Sequence, residues 1–253
     1  KRAGQALSVR EVTMRFGGLT ALDGISFDVP KGKVTGLIGP NGAGKTTLIN
    51  VICGQQRPTS GSVTLGDETL SALPSHRVAA AGLARTFQNI RLFDRLTALE
   101  NVTAAAASAG HSRAEAEGIA MAELTRMGLA QRWNEPAAAF AYGDRRRLEI
   151  ARALALSPDY LLLDEPAAGM NPAETERLIE TLERLKGDGV LGILVVEHDM
   201  RLIMRLSDHM VVLNKGQKIA EGSPDEVRAD PAVIEAYIGT KRQQTRPTGE
   251  LTL

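Results

Sequence analysis

The chain has 253 residues, a single cysteine, and 30 basic against 30 acidic side chains, so its formal net charge is zero. That length suits one large domain, or a core carrying a smaller subdomain. The charge balance leaves no global basic field for nucleic acid, and the lone Cys53 excludes an internal disulfide.

Taken in chain order, β-branched residues and glycine punctuation predict strands over 7–16, 25–29, 34–39 and 62–65. The third runs into Gly39, Pro40, Asn41, Gly42, Ala43, Gly44, Lys45 and Thr46, which fit the phosphate-cradling pattern Gly-x-x-x-x-Gly-Lys-[Ser/Thr]. The glycines let consecutive backbone N–H groups converge on an anion, Lys45 adds a positive charge, and Thr46 supplies a hydroxyl for Mg²⁺. The apolar run 47–53 predicts a helix whose N-terminal dipole favours the same anion, so the segment reads as a site for ATP or GTP. Cys53, on the apolar face of that helix, reads as a small buried thiol.

From 97 to 127 the composition turns Ala-rich with scattered Glu and Arg, which predicts helix and a small helical subdomain inserted into the core. A helix over 144–156, strand 160–163, helix 172–186, strand 190–196 and helix 200–206 then alternate, as in a parallel sheet with helices on its faces. Leu178, Leu182 and Leu185 form one buried stripe, and Pro172 suits a first helical turn. Short strands over 210–213 and 217–220 follow, and a polar tail from 240 onward reads as disordered or partner-dependent. The aliphatic run 190–196 is far shorter than the ~20 apolar residues of a membrane span. The basic residues Lys1 and Arg2 precede no apolar stretch of an export signal, so a cytoplasmic location is expected.

The strand near 161–163 ends in Asp164 and Glu165, which it would deliver to the sheet's carboxyl edge, where a phosphate loop also lies in α/β folds. Asp164 suits the Mg²⁺ shell, because a hard cation prefers oxygen ligands, and Glu165 could polarise the water that attacks the γ-phosphorus. His198 stands just beyond the next strand and would reach the same edge, while Gln88 offers a neutral oxygen to Mg²⁺ or water.

In order and spacing these segments resemble an ATP-binding cassette (ABC) ATPase of a transporter: the phosphate loop extended to Thr47, Gln88 as the loop glutamine, Phe140-Ala141-Tyr142-Gly143-Asp144 as the signature segment, Asp164-Glu165, and His198 as the switch histidine. The resemblance implies an α/β P-loop NTPase ABC-ATPase core over 6–240, with an antiparallel β subdomain, an inserted α-helical subdomain at about 94–157, and a polar tail over 241–253. It implies Glu165 and His198 as catalytic groups, and Phe16 as the ring that stacks on adenine. Thr46, Gln88 and Asp164 would attend Mg²⁺, and Ala141, Tyr142, Gly143 and Asp144 would face ATP held by a second cassette in a head-to-tail pair.

The wording of 84–93, 141–143 and 164–172 most resembles the branched-chain amino-acid uptake branch. That branch implies two transmembrane permeases, a second and different ABC ATPase (a homodimer in isolation being an alternative), an extracytoplasmic solute-binding protein acting indirectly, no nucleic acid, and a peripheral place on the cytoplasmic face of the inner membrane. Urea and short-amide importers share the wording, and a nucleotide-gated subunit with weak hydrolysis of its own is a further alternative. Arg91-Leu92-Phe93 would be the coupling surface to the permeases, with Phe93 exposed. Three departures stand out. Ala141 replaces a serine hydroxyl, Asp144 places a negative charge near an expected anion, and Asn171 replaces an aspartate, so asymmetry between the two composite sites is expected.

Overall fold

The computed structural model describes residues 6–244. Strands β1 (Leu7–Phe16), β2 (Leu19–Val29) and β3 (Val34–Ile38) precede helix α1 (Lys45–Ile52), followed by β4 (Ser60–Leu65), β5 (Glu68–Thr69), α2 (Ser75–Ala80) and β6 (Leu83–Arg85). Between 98 and 154 the elements are helical: α3 (Ala98–Ser108), α4 (Arg113–Arg126), two short 3₁₀ turns and α5 (Tyr142–Leu154). Then β7 (Tyr160–Asp164), α6 (Pro172–Gly187), β8 (Gly192–Val196) and α7 (Met200–Leu206) alternate. The hairpin β9 (His209–Asn214) and β10 (Gln217–Gly222) and the helices α8 (Pro224–Ala229) and α9 (Pro231–Gln244) follow.

Two sheets result. One is antiparallel, in the order β2-β1-β4-β5; the other runs β10-β9-β3-β8-β7-β6, parallel except for the edge strand β10. Strands β3, β7 and β8 are buried along their whole length, which explains why they are apolar on both faces apart from Thr35 and the terminal Asp164. Alternate residues of these strands serve two cores. Leu37, Leu162, Leu194 and Val196 pack with α1 and the antiparallel sheet, whereas Ile38, Leu161, Leu163, Ile193 and Val195 pack under α5, α6 and α7. The stripe of Leu178, Leu182 and Leu185 on α6 is buried as predicted. Cys53 is buried as well, and burial pushes its thiol up to about 12.

The helical block owes much of its order to local chemistry. Thr97 with Glu100 and Ser112 with Glu115 form reciprocal capping boxes at α3 and α4, each worth about 1 kcal/mol. Asn171 with Glu174 does the same for α6, where Pro172 occupies the first turn. Several boundaries differ from expectation for physical reasons. β2 begins six residues earlier than predicted because its polar first half is held by pairing to β1. β8 begins two residues later, at Gly192, where a Cβ would lie 2.3 Å from the Tyr160 ring. β6 is only three residues long and forms by parallel pairing with β7. Helix α9 continues to Gln244, past the expected start of the tail, and the rest of that tail lies outside the described residues.

Candidate active site

β3 lies between β8 and β9 and is parallel to both, so the loop leaving it at Gly39 opens at the carboxyl edge of the sheet. Two glycines permit its course. A Cβ at Gly39 would lie 2.2 Å from the Leu213 carbonyl oxygen, and one at Gly44, where φ is +103°, would lie 2.8 Å from that of Ala21. Gly44 then starts α1 with no side-chain cap, which leaves first-turn amides for an anion. Lys45 is buried, and its Nζ donates to the carbonyls of Gly39 at 2.6 Å and Pro40 at 3.1 Å, so the loop curls around its own ammonium. Burial holds this amine below the ordinary lysine value, with Glu165 and Asp164 pulling in the opposite direction.

A cleft of about 600 Å³ lies along the loop, a volume in the range of small-molecule sites. Residues 41–47 line it together with Phe16, Leu19, Thr20, Ala21, Glu165, Lys215 and Gly216. Phe16 is 45% exposed, which places its ring at the cleft instead of in the core. The Gly216 amide donates to Ala43 at 3.0 Å, and the Gly216 carbonyl accepts from Asp23 at 2.8 Å, tying the β9–β10 turn to both the loop and β2.

The two acids occupy different environments. Asp164 is buried, and its Oδ2 accepts from Arg85 Nη2 at 2.7 Å, while Arg85 Nη1 donates to Asn50 Oδ1 on α1 at 2.8 Å. Glu165 sits in the left-handed region at φ +46°, a strain of about 1 kcal/mol or more for a side chain of this kind, and its amide donates to Val196 at 2.9 Å. Gln88 Nε2 donates to Glu165 Oε2 at 2.9 Å, leaving the Gln88 amide oxygen for another partner. His198 is 62% exposed at its side chain; its Nδ1 stands 4.0 Å from Glu165 and 3.8 Å from Glu197, beyond hydrogen-bond reach of either. Glu197, almost fully buried, accepts from the amides of Ala167, His198 and Asp199 at 2.8, 3.0 and 3.3 Å, and so joins the loop after Glu165 to the one carrying His198. Burial raises the Glu197 carboxyl above its usual range.

The residues fit a Mg²⁺ ion that takes much of its shell from phosphate and water. Thr46, the Gln88 amide oxygen and the Asp164 oxygen turned from Arg85 are all hard oxygen donors, and among the described residues no three His, Cys, Asp or Glu cluster into a self-sufficient cage.

Gln88, Glu165, His198 and the phosphate loop are thus brought to one edge, with Phe16 at the same cleft. Ala141, Tyr142, Gly143 and Asp144 do not line it. Ala141 precedes α5, which also begins without a side-chain cap. Asp144 is held by Arg147 Nη2 at 2.5 Å and Arg132 Nη1 at 3.0 Å, so its charge is paired within the helical block. Asn171 caps α6 through Oδ1, which accepts from Glu174 at 3.0 Å, and Glu174 in turn accepts from the Gly143 amide at 3.3 Å. Phe93 is 55% exposed, beside a groove of about 350 Å³ that includes Asn101 and Arg152.

Sequence reasoning missed Arg85, Glu197 and the Lys215–Gly216 turn. A cation three residues before Gln88, on a stretch of Leu and Ala, was the available sign of a buried anion partner for Arg85. No local pattern marks the turn, which reaches the loop through the pairing of β9 with β3.

A family model described as ABC transporter matches residues 22–168, and one described as branched-chain amino acid ATP-binding cassette transporter matches 217–242. The chain is 42% identical over 248 residues to the high-affinity branched-chain amino acid transport ATP-binding protein BraF of Pseudomonas aeruginosa, covering 92% of this chain and 97% of that protein. It is 34% identical to a probable branched-chain amino acid transport ATP-binding protein, LivG, of Archaeoglobus fulgidus, over 93% of this chain and 96% of the relative. Among solved structures, the ADP conformation of MJ1267, an ATP-binding cassette of an ABC transporter, matches with a TM-score of 0.83 at 32% identity, over 93% of this chain and 99% of that one. A dimeric post-hydrolysis state of the cassette MJ0796 bound to ADP and Pi matches with a TM-score of 0.74 at 25% identity, over 86% and 98% of the two chains.

Proposed function

Because the chain belongs to the ABC transporter family of ATP-binding cassettes, we propose that it is the ATP-hydrolysing subunit of an importer for branched-chain or other hydrophobic amino acids. The observation that carries the site assignment is the meeting of Glu165 and Gln88, 2.9 Å apart, beside a phosphate loop whose lysine is already in place. Among the described residues no helix is long and apolar enough to cross a membrane. The partners would be two permeases and a second ABC ATPase, different from this one, with an extracytoplasmic solute-binding protein acting through the permeases. The complex would place this subunit on the cytoplasmic face of the membrane.

ATP would enter with adenine against Phe16 and its phosphates over 39–47, where amides and Lys45 meet negative oxygens. Thr46, Gln88 and Asp164 would hold Mg²⁺, which would supply neutralisation of phosphate charge. Glu165 would orient and deprotonate the attacking water, with His198 close enough to swing toward the γ-phosphate from its exposed position. A second cassette would cover this nucleotide with its own signature segment, while residues 141–144 of this chain cover the partner's. Ala141 brings no hydroxyl to that contact. Asp144, paired with Arg132 and Arg147, brings no free negative charge. Arg91, Leu92 and Phe93 would meet the permeases, since the buried Asn101 accepts from the Phe93 amide at 2.9 Å and so fixes the backbone that presents its exposed ring.

Phe16→Ala is expected to weaken ATP by about 1–3 kcal/mol, or roughly 5- to 150-fold, if the ring stacks on adenine. Titration with a fluorescent ATP analogue checks this, and equal affinity in the two proteins returns Phe16 to a packing role. The transport assignment is tested by reconstituting the chain with its permeases and second cassette in liposomes. Leucine uptake driven by enclosed ATP is the expected result, and ATP-driven uptake of urea or acetamide alone would favour the short-amide reading.

A further inference from the structure

Helix α5 carries a buried ion pair that the nucleotide chemistry does not use. Arg146 and Glu149 are 0% and 2% exposed at their side chains and lie 2.7 Å apart, one turn from each other on the helix. Neither is occupied by its partner alone. Arg146 Nη1 donates to the Phe87 carbonyl at 2.5 Å and Nη2 to the Gln88 carbonyl at 2.7 Å, while Glu149 Oε1 accepts from the Arg91 amide at 3.2 Å. The guanidinium fork and the carboxylate therefore grip both ends of the 87–91 segment by its backbone. The Arg91 and Arg85 guanidinium groups lie 4.0 and 5.1 Å from the centre of the Phe87 ring. Burying two charges for packing alone is poor design, since apolar residues of similar volume stabilise a core at least as well. What the pair supplies is geometry: three backbone contacts in fixed directions.

We propose that Arg146 and Glu149 are positioning residues for Gln88, locking its loop to the helix that begins at Ala141–Gly143, so that the signature end of α5 and the Gln88 side chain move as one body. The proposal rests on the ATPase reading above. The Gln88 amide, 2.9 Å from Glu165, then stays in register with that carboxylate only while the clamp is closed. Any contact that shifts the start of α5 reaches the Glu165 environment through two side chains, without touching the phosphate loop.

The test uses three readouts: turnover of ATP in the assembled transporter and, on the purified chain, equilibrium binding of Mg-ATP and amide hydrogen exchange of peptides spanning 86–92. Arg146→Lys keeps the charge opposite Glu149 but cannot bridge two carbonyls as a planar fork does. Turnover is expected to fall about tenfold or more, because a displacement of about 1 Å at a reacting group is enough for such a loss. Mg-ATP affinity should stay within about twofold and exchange at 87–91 should rise about tenfold, with exchange in α1 unchanged. A merely structural pair would lower the melting temperature and leave both turnover and the exchange of 87–91 relative to α1 where they were, which overturns the proposal. Should Arg146→Lys not fold, the double variant Arg146→Met/Glu149→Leu removes the pair without leaving a lone buried charge, and the same changes are expected of it. Failure of both to fold overturns the proposal in favour of a structural pair. Absence of turnover in the assembled transporter built with the unaltered chain defeats the ATPase reading instead, and the exchange of 87–91 still reports on the clamp.

Discussion

Glu165→Gln is expected to reduce ATP turnover about 10²- to 10⁴-fold, the contribution of a positioned general base, while Mg-ATP binding survives. The change is close to isosteric. A glutamine oxygen can still accept from Gln88 Nε2, and the left-handed backbone at position 165 is no harder for Gln than for Glu. Removal of one negative charge near the γ-phosphate should, if anything, tighten ATP. The variant therefore separates chemistry from binding, with kcat falling and Kd holding. Steady-state turnover in the assembled transporter, with binding measured in parallel, reads both. Unchanged hydrolysis would assign the reaction to the partner cassette and make this chain a nucleotide-gated subunit.

Lys45→Ala should act on the other half of the problem. A charge-assisted hydrogen bond to phosphate is worth about 1.5–3 kcal/mol, so affinity for Mg-ATP should fall about 10- to 150-fold. The geometry sharpens the expectation. Nζ sits within 3.1 Å of both loop carbonyls before any anion arrives, so the ammonium is already confined and little side-chain freedom is lost on binding. Alanine leaves the carbonyls of Gly39 and Pro40 facing the space the amine filled, which adds repulsion toward an incoming phosphate. Isothermal titration of the two proteins with Mg-ATP measures the difference, and intact affinity in Lys45→Ala removes this role from the lysine.

The phosphate loop was legible because its information is local: Gly39, Gly44, Lys45 and Thr46 lie within eight residues, directly after a short strand-like run. The same holds for β7 and β8 and for the leucine stripe of α6, where burial on both faces or on one face writes itself into the residue order. Short elements were not legible. β6 has three residues and exists by virtue of β7 beside it, and α8 and α9 follow a Ser223–Glu226 capping box that could have been read but was not. At the site, Asp144 is paired both with Arg147, one turn on in α5, and with Arg132, twelve residues earlier and outside the helix; the first partner is local in sequence and the second is not. Arg85 and the Lys215–Gly216 turn likewise act through neighbours in space, supplied by the β6–β7 and β3–β9 pairings. Strand ends that carry Asp164, Glu165 and His198 to one sheet edge were legible from the alternation of elements, whereas the side-chain pairings among neighbours in space were not.

The Asp164–Arg85 pair fixes the acid proposed for Mg²⁺. One carboxylate oxygen is committed to a buried guanidinium that also reaches Asn50 on α1, so the acid is fixed in place by the helix that follows the phosphate loop. Preorganisation of this kind costs nothing at the moment of reaction, which is where electrostatic catalysis gains most. It also ties the position of the acid to that of the loop.

A crystal structure of the Glu165→Gln chain grown with Mg²⁺ and ATP addresses the whole scheme at once. The expected density is a triphosphate over residues 39–47, with Lys45 Nζ donating to the phosphates from its place beside the loop carbonyls, adenine against Phe16, and the Ala141–Gly143 segment of a second copy closing over the γ-phosphate. A nucleotide bound elsewhere, or a triphosphate over the loop that Lys45 Nζ does not reach in the presence of saturating ATP, would contradict it.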